Sequence, residues 1–126
     1  MAGIAKSGWW GVVLDAPDAP ALARFYAHIL GWPVASEEPG WATITQPETT
    51  SYIAFASAEG YVPPVWPREE GAQQMMMHLD IGVSDLEAAV ADAVEHGASI
   101  ASYQPQETVR VMLDPAGHPF CLYLDV

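Results

Sequence analysis

Basic residues are scarce in this chain. Lys6, Arg24, Arg68 and Arg110 stand against sixteen acids, a formal charge of −12 over 126 residues. Nucleic acid and anionic membrane are poor partners for such a surface, and a large polyphosphate ligand is disfavoured too. A neutral or cationic small molecule is electrostatically easier, although acids of this number also serve solubility alone. Cysteine is nearly absent. A single residue, Cys121, excludes an internal disulfide and fits a reducing compartment. No apolar run nears the roughly 20 residues of a membrane span. The opening MAGIAKSGWW lacks the apolar stretch of a secretory signal. A cytoplasmic protein is the expectation. Apolar residues, in contrast, make up 51% of the chain, enough for one domain with a real core.

The segment Met75–Ala98 shows how that core is arranged. Leu79, Ile81 and Val83 alternate with His78, Asp80 and Gly82. A period of two predicts a strand with one apolar and one polar face. From Asp85 the spacing becomes Leu86, Ala89, Val90, Ala93, Val94, a helical stripe. Ser84 or Asp85 caps its start and Gly97 ends it. The first half follows the same plan. Trp9–Ala16 reads as a strand, and Asp18 opens a helix with Pro20 in its first turn, ended by Gly31. Short strands are predicted near Val34–Ser36, Trp41–Thr45 and Tyr52–Ser57. The segment Ala58–Gln74, with Pro63, Pro64 and Pro67, reads as a stiff connector. After Met75–Val83 and the second helix, strands fit Ser99–Ser102, Val109–Asp114 and Phe120–Asp125. Asp114-Pro115-Ala116-Gly117 is a turn of type I pattern between the last two.

Both halves therefore read strand–helix–strand–strand–strand, about 8–57 and 75–126, joined by a linker at about 58–74. An internal duplication accounts for this economically. Aligning Asp18 with Asp85 sets Gly11 at the place of His78, Val13 at Asp80, and Ala54 at Cys121. The apolar faces superpose, with Trp10, Val12, Phe25, Leu79, Phe120 and Leu122 among the predicted core. The polar faces do not. Each half is too small to bury enough surface alone, so the halves pack on each other or on a second chain.

These residues resemble the vicinal oxygen chelate superfamily, which includes glyoxalase I, extradiol dioxygenases and the bleomycin- and fosfomycin-resistance proteins. The first half carries Asp18…Phe25-Tyr26…Leu30-Gly31-Trp32. The second carries His78-Leu79-Asp80…Val83-Ser84-Asp85-Leu86, Gly97-Ala98 and Asp114-Pro115-Ala116-Gly117-His118-Pro119-Phe120-Cys121-Leu122. The Pro63–Pro67 connector is similar to that of the glyoxalase-like branch. The resemblance spans nearly the whole chain. It implies a single α+β domain of paired βαβββ modules, the glyoxalase/bleomycin resistance/dihydroxybiphenyl dioxygenase-like fold. It also implies a cupped inner wall and, commonly, a homodimer. In metal-dependent relatives, four places on that wall hold a divalent ion. Here they are Gly11, about Ala54, His78 and Cys121, and only His78 matches a relative's ligand. No cofactor is the expectation. If an ion binds at all, His78 and Cys121 hold it, with Asp80 or His118 as recruits of undetermined reach.

Residue by residue, His78 reads either as a strand histidine satisfied by a neighbour or as a general base facing the cup. Asp80 and Asp15 share its inward parity, to orient an imidazole, to fix a ligand amine, or simply to meet solvent. Cys121 reads as a small buried residue rather than a nucleophile, and as part of a ligand-binding wall. Trp9, Tyr52 and Tyr123 fall on the inner parity, with Trp41 and Trp66 as neighbours. An aromatic-lined cup suits a small organic ligand. Arg110 holds a ligand carboxylate or pairs with an acid. His118 reads as a turn or packing residue. Three functions remain open. One is a sequestering protein for a neutral or cationic aromatic compound, of the resistance type. Another is a glyoxalase-like lyase or isomerase with His78 and Asp80 catalytic, with or without a divalent metal. The third is a regulatory or assembly module with no small ligand.

Overall fold

The computed structural model describes residues 3–5 and 7–126. The chain divides into two compact units, one up to Tyr61 and the other from Val62 onward. The boundary falls inside the predicted connector, most of which belongs to the second unit.

The first unit runs β1 (Trp10–Ala16), α1 (Ala19–Leu30), β2 (Val34–Glu38), β3 (Trp41–Thr45) and β4 (Ser51–Ser57). Its sheet has the order β1-β4-β3-β2. β4 lies parallel to β1 and antiparallel to β3. The Asp18 carboxylate accepts from the Ala21 amide at 3.2 Å to cap α1, and Gly31 closes it at φ 70. The buried stripe of α1 includes Leu22, Phe25 and Tyr26. Tyr26 stacks on Phe55 at 6.0 Å, and Ile44, Ile53 and Phe55 complete the core. Full burial of each large side chain contributes roughly 1.5–3 kcal/mol. Trp10 departs from the predicted core. It stands at the first rung of the β1 ladder, opposite Ser51 where the sheet ends, and is 62% exposed.

The second unit runs β5 (Leu79–Val83), α2 (Leu86–Glu95), β6 (Ser99–Ile100), β7 (Val109–Leu113) and β8 (Pro119–Leu124). Its sheet order, β5-β8-β7-β6, repeats the first. Leu79 pairs with Phe120 as Val12 pairs with Ile53, and Asp80 pairs with Cys121 as Val13 pairs with Ala54. The duplication read from sequence thus holds to the single residue in both parallel ladders. Asp85 caps α2 by accepting from Ala88 at 3.0 Å. Met112, Phe120 and Leu122 are buried on the face that α2 covers. β5 is shorter than the predicted Met75–Val83. Its partner β8 begins at Pro119, which has no amide hydrogen to extend the ladder to His78. β6 stops at Ile100 rather than Ser102. Among the described residues, no helix is long and apolar enough to cross a membrane.

Candidate functional site

The polar face of the second sheet gathers titratable side chains beside a cavity. Strand pairing sets Asp80 directly beside Cys121, and Cys121 beside Val111. His78 lies two residues before Asp80, just ahead of β5, and keeps the same side. Its Nε2 stands 3.1 Å from Asp80 Oδ1. The Cys121 thiol donates a hydrogen bond to the Asp80 carboxylate. The three side chains present donor atoms all within 4.8 Å of one another.

These groups open onto a cavity of about 570 Å³, within the size range of small-molecule sites. Its aromatic wall comes from outside the sheet. The Trp66 ring stacks on the His78 imidazole at 4.9 Å and 28°, and the Tyr103 ring meets Trp66 edge-on at 5.5 Å. Tyr123 closes the β8 side, its ring packed over Gly82, where an added Cβ would stand 3.0 Å from the phenol. Among the described residues, Asp80 is the lone carboxylate of the lining, which contains no lysine or arginine. Its side chain is 61% exposed and that of His78 28%, so both are open to the cavity.

Burial, then the Asp80 charge, then the hydrogen bond to Asp80 push the Cys121 thiol up to about 11. Each favours the neutral form. At pH 8 only about one thiol in a thousand is ionised, so Cys121 is not an activated nucleophile.

Of the residues proposed from sequence, the fold gathers Trp66, His78, Asp80, Cys121 and Tyr123 around this cavity. Arg110 is a correction. It pairs with Leu122, on the opposite face from Val111, and lines a separate hollow with Ser84, Glu87 and Val90 beside α2. Its Nη1 donates to the Glu107 and Val109 carbonyls at 2.9 and 3.0 Å, so it is engaged by its own loop. The remaining four lie in the first unit. Trp9 approaches Tyr52 at 6.4 Å between ring centroids. Asp15 and Trp41 both stand opposite Ala56. His118 is a turn residue, its Nδ1 2.9 Å from Asp114 Oδ2. Sequence reasoning missed Tyr103. It sits in an irregular stretch, and the only signal was an aromatic among polar and proline residues.

The family's metal arrangement does not fit this chain. Gly11 and Ala54 carry no donor atom. A Cβ at Gly11 would stand 2.5 Å from the Tyr52 ring and 2.6 Å from its carbonyl oxygen, so a longer ligating side chain has no room there. Only the His78 and Cys121 places retain donors.

No curated protein matches the chain at a significant level. Solved structures of the same fold are many. A glyoxalase/bleomycin resistance protein/dioxygenase family enzyme from Burkholderia phytofirmans is 18% identical, with 92% of this chain and 97% of that one covered and a TM-score of 0.61. A glyoxalase-related enzyme from Fulvimarina pelagi is 17% identical, covering 99% and 89%, with a TM-score of 0.63. The oxidase ChaP-H2 is 19% identical, covering 100% and 96%, with a TM-score of 0.64. The sequence matches the family of the glyoxalase-like domain over residues 11–123. With its two βαβββ units, the chain belongs to that family, within the vicinal oxygen chelate superfamily.

Proposed function

We propose that the protein binds a small aromatic compound, neutral or cationic, in the second-unit cavity and holds it unchanged. The stack of Trp66 on His78 beside the Asp80 carboxylate carries this reading. Flat aromatic walls select a flat ligand, and an exposed acid with no competing base in the described lining favours positive charge. The un-ionised thiol offers no attacking group. Titration calorimetry against matched aromatic cations and neutral isosteres tests it. Saturable binding is expected, with the compound recovered intact. Trp66→Ala weakens the cation about tenfold, in keeping with a lost stacking and cation–π contact of roughly 1–2 kcal/mol. Failure of the whole panel to bind, or unaltered affinity in Trp66→Ala, removes the proposal.

The His78–Asp80 contact at 3.1 Å supports a second reading, a lyase or isomerase. With Nε2 engaged by the carboxylate, the other ring nitrogen is the base that takes a proton from substrate. Turnover of a bound compound, lost in His78→Ala, would decide for it.

A further inference from the structure

The hollow beside α2 holds two opposite charges that do not meet. It measures about 480 Å³ and lies wholly within the second unit, with Arg110 on one side and Glu87 in its lining. We propose that it binds a zwitterionic α-amino acid with an apolar side chain, the carboxylate on Arg110 and the ammonium group on Glu87. This goes beyond the binding of an aromatic compound and does not rest on it.

The argument begins with the arginine. Its register partner Leu122 places it on the face that α2 covers. Nη1 donates to the Glu107 and Val109 carbonyls at 2.9 and 3.0 Å, which fixes the plane of the guanidinium. Both bonds run from Nη1, so among the described residues Nε and Nη2 keep donors for a ligand. In a chain of sixteen acids and four bases, a half-buried arginine is expected to find a carboxylate. Arg24 does so, meeting Glu37 at 2.8 Å. Among the described residues no ion pair includes Arg110, and none includes Glu87. Glu87 is exposed in the first turn of α2. Two opposite charges thus line one space without neutralising each other.

The lining narrows the ligand. A simple anion meets Arg110 but is repelled by Glu87 and Asp85, and a simple cation meets the reverse. A molecule with both signs answers both. The fork of an arginine matches a carboxylate, where a lysine would serve only as a point charge. Asp85 is tied to the helix as its cap, accepting from the Ala88 amide, which leaves Glu87 for the ammonium group. Leu86 and Val90, both half-buried, and Leu124 at the end of β8 supply hydrocarbon for the ligand's side chain. No aromatic ring lines the hollow, so an aliphatic side chain suffices.

The test is calorimetry of the full chain with L-leucine as the probe. One saturable site per chain is expected. N-acetyl-leucine lacks the ammonium charge, leucine methyl ester lacks the carboxylate and alanine lacks the apolar tail, and each is expected to bind at least about tenfold more weakly. Arg110→Lys and Glu87→Gln each weaken leucine by roughly tenfold, as loss of a charge-assisted hydrogen bond dictates. Circular dichroism establishes that both are folded. If Arg110→Lys is not, Glu87→Gln on the exposed helix face carries the test alone. Trp66→Ala keeps leucine and loses the aromatic compound, while Glu87→Gln does the reverse, which separates the two proposals. No saturable leucine binding at millimolar concentration, N-acetyl-leucine bound as tightly as leucine, or unaltered affinity in Glu87→Gln overturns the site.

Discussion

Cys121 shows how a single side chain is set by its neighbours. It is 4% exposed and hydrogen-bonded to a carboxylate, and both push its ionisation up to about 11. Alkylation of the native protein is therefore expected to be slow at pH 8 and to rise with pH toward 11, measured by mass spectrometry. Asp80→Asn removes the negative charge beside the thiol and speeds the reaction at fixed pH. Burial remains, so the rate stays below that of the unfolded chain. The same shift links folding to pH. Below about 9 the thiol is protonated in both states and the stabilisation is fully present. As pH rises from 9 to 11 the unfolded thiol ionises while the native one resists, and about 3 kcal/mol of stability is lost. Urea unfolding at pH 8 and pH 11 is expected to show this loss in the parent and a smaller one in Cys121→Ala. At this scale the site was half legible. Strand parity and the repeat put His78, Asp80 and Cys121 on one face. Trp66 was placed beside the cup as an aromatic neighbour, but its stack on His78 was not readable, because a connector without periodicity delivers it. Arg110 was misplaced because its pairing with Leu122, which turns it toward α2, is set by β-ladder register rather than by local pattern.

Among the elements, the caps and turns follow rules the sequence states openly. Asp18 and Asp85 cap their helices, and Gly117 donates to the Asp114 carbonyl at 2.8 Å to close the predicted turn. The Asp114 carboxylate does more than the turn required. Buried at 4% exposure, it accepts from the amides of Ala116 and His118 at 2.9 and 3.0 Å and meets the His118 ring. Asp114→Ala removes the acceptor of these two part-buried amides and is expected to cost roughly 1–3 kcal/mol in urea unfolding. The stretch after β6 obeys no such rule. Gln104 stands in for a strand there. Its amide donates to the Ala101 and Val111 carbonyls at 2.9 Å each and accepts from the Val111 amide at 3.0 Å. A side chain that imitates a peptide group leaves no mark in hydrophobic period, which is why Tyr103 escaped prediction. Gln104→Leu is expected to lower stability by about 1–3 kcal/mol, and to weaken aromatic ligands by loosening Tyr103 against Trp66. Calorimetry on the folded variant reads the second effect. An unchanged affinity would show that Tyr103 is held by other means.

For the whole molecule, charge and repetition are the governing facts. A net charge of −12 draws cations toward any opening, and salt screens the attraction over about 10 Å at 0.1 M. Raising salt from about 0.02 to 0.3 M is expected to weaken an aromatic cation several-fold and leave its neutral isostere unaffected. Equal salt dependence for both would assign the affinity to the rings alone. The repeat was the most legible feature of all, since two apolar patterns in the same order arise most simply when one module is copied. What repetition concealed is the difference between the copies. Tyr52 lies across Gly11 in one ladder and Tyr123 across Gly82 in the other, but only the second copy retains metal-ligating groups at the paired places.

In each sheet the fourth strand of the unit inserts between the first and the third. During synthesis β5 and β7 therefore have nothing to join them until the stretch through Leu124 has left the ribosome. Until then Cys121 has not met Asp80, and its sulfur behaves as an ordinary reactive thiol. The arrival of one late strand both completes the sheet and quenches that reactivity, so the maturity of a nascent chain is written in the nucleophilicity of a single atom.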